Sequence, residues 1–282
     1  MRFSLSVVLL STFLAVGFAS PSHAESGAAL AAYEMPRTHV VPLKDSKKDR
    51  QYELFIKLPE DYSENTDVKY PVIYTTDGPV HMDMLSGTTE FLMPDVILVG
   101  ISYQTDLIHE RRVSASRARD FTFIEYKEVP VPTGEANNHL TFIRDDVINY
   151  VENNYRADPA ERTYFGYSAG GSFGAYMLFE KPDTFSNYIL GSPALDQEEI
   201  EFLDALTATS QQDMNANVFV SIGELEESKM DVTEQYVSLL ERESQAGLAL
   251  TGLEVINKSN HSTAFPETVL RSVKWLVEMR DE

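Results

Sequence analysis

The sequence predicts an α/β fold, a mostly parallel central sheet with helices on both faces, and three observations carry that expectation. Short apolar runs alternate along the chain with segments whose apolar residues recur every 3.6 positions, as strand-helix-strand units require. Several runs, among them VILVGIS and VFVSIG, are continuously apolar rather than alternating, which is what strands covered on both faces need. Residues 25–282 are also an ordinary length for one domain of this class.

Taken in order, the first segment is a leader. Residues 1–24, MRFSLSVVLLSTFLAVGFASPSHA, place one Arg before an apolar run and end on small residues at Ser22 and Ala24. That pattern predicts a secretory signal peptide, hence a secreted or periplasmic protein. No later segment approaches the roughly 18–20 apolar residues a membrane span needs, so none is expected once the leader is removed. Strands are predicted at 51–58, 71–76, 96–102, 162–167, 188–191, 218–223 and 253–257. Leu140, Ile143, Val147, Tyr150 and Val151 form one helical stripe behind Asn138 as a cap, and Val269, Leu270, Val273, Leu276 and Val277 form another in a last helix starting near Pro266. Residues 104–138 show no clear periodicity and are expected to be a substrate-side insertion in a single domain spanning 25–282.

Composition removes whole classes of chemistry. The chain has no cysteine, which excludes disulfides, thiolate metal sites and cysteine nucleophiles. A formal net charge of −21 makes nucleic acid an unfavourable partner. The sequence contains neither H-E-x-x-H nor G-x-x-x-x-G-K, and no metal or organic cofactor is expected. It carries no signal for oligomeric state.

The strongest motif is Gly166-Tyr167-Ser168-Ala169-Gly170, a G-x-S-x-G between an apolar strand and a small-residue helix. Glycines two residues to either side of Ser168 let strand and helix approach across a sharp turn, and the following helix start offers free N–H groups where an oxyanion would form. A tight-turn serine is the bland alternative, and the strand-turn-helix context favours a nucleophile. Such a hydroxyl needs a base. Of the six histidines, only His261 follows a late strand and precedes the last helix, the place an α/β-hydrolase reserves for it. The acid that orients the imidazole should lie between them, after VFVSIG, where Glu224, Glu226 and Glu227 cluster. Glu226 is the first candidate and Glu227 the second, with Glu224 placed to brace the loop; a Ser-His dyad is the alternative. The oxyanion donors expected are the N–H groups of Ala169 and, because Pro79 has none, of Gly78. Tyr167 is a candidate substrate contact. Arg111 and Arg112, in a cluster with Arg117 and Arg119, are candidate contacts for an anionic substrate, whereas Arg119 with Asp120 reads as a structural pair.

The ordered segments YPVIYTTDG, VILVGISY, RARDFT, FIRDDVINYVENNYRAD, RTYFGYSAGGSFGAYMLFEKPDTFSNYILGSPAL, VFVSIGELEE and NHSTAFPETVLRSVKWL together resemble the "putative esterase" family of α/β-hydrolases. That family includes the enterobactin (siderophore) esterases and the esterase D group. The resemblance runs from about Tyr52 to Leu276 and implies the α/β-hydrolase fold, Ser168 as nucleophile, His261 as base, and Gly78 with Ala169 as oxyanion donors. Many members continue SPSLWW where this chain has Ser192-Pro193-Ala194-Leu195-Asp196, so an aromatic wall is expected to be missing. The expected activity is cleavage of a small-molecule carboxylic ester through an acyl-enzyme. An acyltransferase using the same residues and a noncatalytic binding protein on the same fold are the alternatives.

Overall fold

In the computed structural model, which describes residues 33–62, 67–209, 214–243 and 247–281, the strand register explains how the sheet is covered on two sides. The strands are β1 (Thr38–Lys44), β2 (Gln51–Lys57), β3 (Tyr70–Thr75), β4 (Ile97–Ile101), β5 (Ala157–Tyr167), β6 (Asn187–Gly191), β7 (Asn217–Gly223) and β8 (Ala249–Ile256). They lie in the order β1-β2-β4-β3-β5-β6-β7-β8 in one eight-stranded sheet. β2 is antiparallel to both β1 and β4, and every other pair is parallel. Alternate side chains of one strand enter opposite cores. Val72, Tyr74, Ile97, Val99, Tyr164, Val218 and Val220 belong to one cluster, and Ile73, Leu98, Phe165 and Phe219 to the other.

The helices cover these two faces. α1 (Gly78–Leu92) and α8 (His261–Asp281) place Met82, Leu85, Val269, Val273 and Leu276 in the second core. The first core is filled from α3 (Ala136–Phe142), α5 (Ala169–Glu180), α6 (Gln197–Thr209) and α7 (Glu227–Arg242), through Leu140, Phe173, Leu203 and Tyr236. α3 passes through a π-helical segment, Ile143–Ile148, into α4 (Asn149–Asn154). Residues from Met35 onward cluster as one compact unit. The leader, residues 1–24, lies outside the described residues.

Several boundaries differ from the sequence expectation. β1 has no counterpart in it: this edge strand carries Pro42 and its side chains are exposed or half-buried, so it has little apolar signal. β8 begins at Ala249 because an edge strand with half-buried residues lacks a continuous apolar run. The insertion is not aperiodic. It contains α2 (Arg112–Phe121), whose buried face includes Ser116, Arg119 and Asp120 and so hides its helical period from a hydrophobic count. Arg119 donates to Asp120 Oδ1 at 2.7 Å and to Gln104 Oε1 at 2.6 Å, and the Tyr52 and Ser116 hydroxyls donate to Asp120 Oδ2. α3 starts two residues before Asn138, which instead donates to Glu135 Oε2. α8 starts at His261, five residues before Pro266, because the Asn260 side-chain oxygen accepts from the N–H groups of Ser262 and Thr263 at 3.0 and 3.1 Å.

Candidate active site

The carboxyl ends of the parallel strands converge by register: Tyr167 pairs with Gly191, and Gly191 with Ser221. The residues after β5 and β6, Ser168 and Ser192, therefore emerge side by side, and the loops after β7 and β8 close over the same edge. Ser168 has φ 58° and ψ −123°, a backbone state costly for any residue with a Cβ. Its neighbours hold it there: its N–H donates to the Gly191 carbonyl at 2.9 Å, and its carbonyl accepts from Ser172 and Ala194. Gly166 permits the turn, since a Cβ at that position would lie 2.2 Å from the Gly170 carbonyl oxygen. The serine is thereby fixed at the start of α5, half-buried and facing a cavity.

That cavity has a volume of about 500 Å³, and Ser168, His261, Tyr167, Asp77, Arg117 and Phe265 are among the residues that line it. His261 Nδ1 lies 2.6 Å from Glu226 Oε2. With Nδ1 donating to a carboxylate, Nε2 is left as the acceptor, the tautomer a general base needs. Among the described residues no hydrogen bond joins Ser168 to His261, though both line the cavity. Glu226 is 7 % exposed at its side chain, and its other oxygen accepts from the Gly223 N–H at 2.9 Å and the Ser192 hydroxyl at 2.7 Å. The two other acidic candidates point elsewhere. Glu224 accepts from the Lys258 N–H and braces the loop, and Glu227 opens α7.

Ala169 and Gly78 are the first residues of α5 and α1, so their N–H groups have no partner within their own helices. Neither lines the cavity, though the residues before them, Ser168 and Asp77, do. Gly78 packs so closely on the sheet that a Cβ there would fall 2.6 Å from Gly100 backbone. Tyr167 lines the cavity, and its hydroxyl donates to the His261 carbonyl. Burial pushes that hydroxyl's pKa up to about 12, so it stays protonated and able to donate. His81 forms an uncharged wall beside Phe265, their ring centroids 5.0 Å apart, because burial pushes its pKa down to about 4.

The structure does not place Arg111 or Arg112 on this cavity. Arg111 precedes α2 and lines a separate cavity with Ile108 and Val131, and Arg112 donates to the Thr105 carbonyl. The cation on the Ser168 cavity is Arg117, on the same face of α2 as Val113 and Ser114. Arg117 binds Asp77 through two hydrogen bonds, Nε to Oδ1 at 2.6 Å and an Nη to Oδ2 at 2.9 Å. Burial works against its charge, but the Asp77 bond and charge prevail and hold its pKa above the ordinary guanidinium value. Asp77 and Ser192 received no role from the sequence, and Arg117 only a place in the arginine cluster. The signal available for Asp77 was its place before Gly78, where a left-handed residue (φ 57°) suits Asp.

The fold is that of the α/β-hydrolases. The family model described as "Putative esterase" matches residues 46–254, and the chain belongs to that esterase family. The ferri-bacillibactin esterase BesA of Bacillus subtilis is 27 % identical over 270 residues, covering 86 % of this chain and 91 % of that one. Among solved structures, an IroE-like serine hydrolase from Shewanella oneidensis superposes with a TM-score of 0.74 at 20 % identity, covering 86 % of this chain and 80 % of that chain. The siderophore hydrolase EstA from Aspergillus nidulans gives a TM-score of 0.70 at 19 % identity, over 89 % of this chain and 99 % of that chain.

Proposed function

We propose that this protein is an exported serine esterase that opens carboxylic ester bonds of a siderophore-type substrate through an acyl-enzyme. One observation carries the mechanism: His261, its Nδ1 bonded to a buried carboxylate, lines the same cavity as a serine held in a strained turn at a helix start. In this reading His261 Nε2 takes the Ser168 proton as the oxygen attacks the ester carbonyl, then passes it to the leaving alcohol. A water, deprotonated by the same nitrogen, releases the acid. Glu226 holds the imidazole and stabilises its charged form, while the N–H groups of Ala169 and Gly78 receive the oxyanion. No step needs a metal or organic cofactor.

The substrate class rests on BesA, named as a ferri-bacillibactin esterase and matched over most of both chains. Export rests on the leader pattern of residues 1–24. Inside the cavity the substrate meets one neutralised ion pair, Arg117 with Asp77, rather than a cationic rim. The experiment is a hydrolysis assay with p-nitrophenyl esters and a trilactone siderophore. Replacing Ser168→Ala should abolish turnover of both, and unchanged turnover would overturn the mechanism. A wild-type enzyme that cleaves the simple esters but leaves the trilactone intact would overturn the substrate class alone.

A further inference from the structure

We infer that Ser192 is a positioning residue for the base, acting through Glu226; this rests on the serine-esterase reading above. Glu226 has two oxygens and a nearly buried side chain, so its orientation is decided by hydrogen bonds rather than by solvent. Oε2 meets His261 Nδ1 at 2.6 Å. Oε1 has two donors, the Gly223 N–H at 2.9 Å and the Ser192 hydroxyl at 2.7 Å. The N–H belongs to Gly223, the last residue of β7 and three residues before Glu226, so it ties the carboxylate to the end of its own strand. Ser192 follows a different strand, β6, and among the described residues its hydroxyl is the donor that ties the carboxylate to the β5–β6 edge leading to Ser168.

The direction of that bond follows from its neighbours. The Tyr167 hydroxyl, 3.0 Å from Ser192 Oγ, gives its proton to the His261 carbonyl, which can only accept. Ser192 has one proton, and a carboxylate is the stronger acceptor, so that proton goes to Glu226. The four residues thus form one cluster. Tyr167 holds the main chain of the base, Ser192 holds the carboxylate that holds its ring, and Tyr167 is the residue before the nucleophile. The backbone at Ser192 is itself strained, with φ 37°, and is pinned by its N–H bond to the Ser221 carbonyl at 2.7 Å. Glycine would suit that backbone better than serine, yet would supply no hydroxyl.

Two variants of the full-length mature protein separate these effects. Ser192→Ala removes the hydroxyl and keeps the strain; Ser192→Gly removes the hydroxyl and relieves the strain. The readouts are ester hydrolysis and the far-downfield proton resonance of His261 Nδ1, assigned by its loss in Glu226→Gln. Both variants should lower kcat about tenfold with KM unchanged, the effect of losing one hydrogen bond to a charged group. In both the resonance should broaden or move upfield. Wild-type kcat and resonance in both variants would overturn the inference. So would a loss in Ser192→Ala that Ser192→Gly restores, since backbone strain would then be the cause, and so would absence of the resonance from the wild-type protein. The resonance needs no turnover, so it decides the role of Ser192 even if Ser168→Ala shows the serine mechanism to be wrong.

Discussion

Ser168, His261 and Glu226 are each placed by a local device that a short substitution series can isolate. Glu226 contributes a charge facing His261 Nδ1 and also accepts from Ser192 and Gly223, so Glu226→Gln keeps the shape and removes the charge that stabilises an imidazolium. The expected result is a fall in kcat of roughly 10²–10⁴-fold, with KM little changed. The control lies within three residues. Glu224→Gln and Glu227→Gln should stay within about twofold of wild type, because one side chain accepts from Lys258 and the other opens a helix. Steady-state kinetics on one chromogenic ester distinguishes the three carboxylates.

At the scale of elements, α2 bounds the cavity from the insertion; Arg119 and Asp120 tie it to Tyr52 of β2, and the Arg117–Asp77 pair ties it to the turn after β3. Asp77 is buried in the turn between β3 and α1, whereas Arg117 lies about a third exposed on α2, so the pair bridges two elements distant in sequence. Removing the guanidinium leaves Asp77 buried without that partner. Arg117→Ala should therefore raise amide hydrogen exchange across α2 and the β3–α1 turn well above the exchange of the central strands, which should be unaffected. Arg117→Lys should restore protection only in part, because an ammonium cannot make both hydrogen bonds of the fork. Exchange in α2 equal to wild type in Arg117→Ala would show that the pair does not hold the helix.

For the molecule as a whole, two buried imidazoles set an acid limit on stability. Burial lowers the pKa of His81 from 6.5 to about 4, and burial likewise lowers that of His139, which sits among the rings of Tyr52, Phe121, Phe142 and Phe173 with neither nitrogen hydrogen-bonded. Both fold in the neutral form, so between the two states' pKa values the unfolded chain binds more protons than the folded one. Stability is accordingly full above about pH 7, and the His81 contribution falls as the pH drops through 6.5 toward 4. At pH 5 that contribution costs about 2 kcal/mol relative to pH 7. Urea unfolding at the two pH values measures the difference, and His139→Phe, which fits an aromatic cage and cannot protonate, should reduce the slope.

What the sequence determined by itself was the part of the molecule written in contiguous residues. The elbow around Ser168 is one strand, one turn and one helix start, and the glycines that permit it lie within it, so its chemistry is local. The central parallel strands were equally legible, because burial on both faces leaves continuous apolar runs; β1 and the start of β8 were not, because edge strands bury too little to show a pattern. The stripe of Leu140, Ile143, Val147 and Val151 marked the α3–α4 region as helical but not its π segment, and α2 hid its period because its buried face carries Arg119 and Asp120. Only the tertiary structure decided which of three neighbouring glutamates meets His261. That choice depends on how closely the loops after β7 and β8 approach, where a Cβ on Gly223 would come within 2.4 Å of the Ser259 carbonyl oxygen. It likewise decided that Arg117 rather than Arg111 or Arg112 faces the cavity, and that Ser192 reaches Glu226. Such pairings join residues far apart in the chain, and their distances follow from strand register and helix rotation, which sequence spacing alone does not encode.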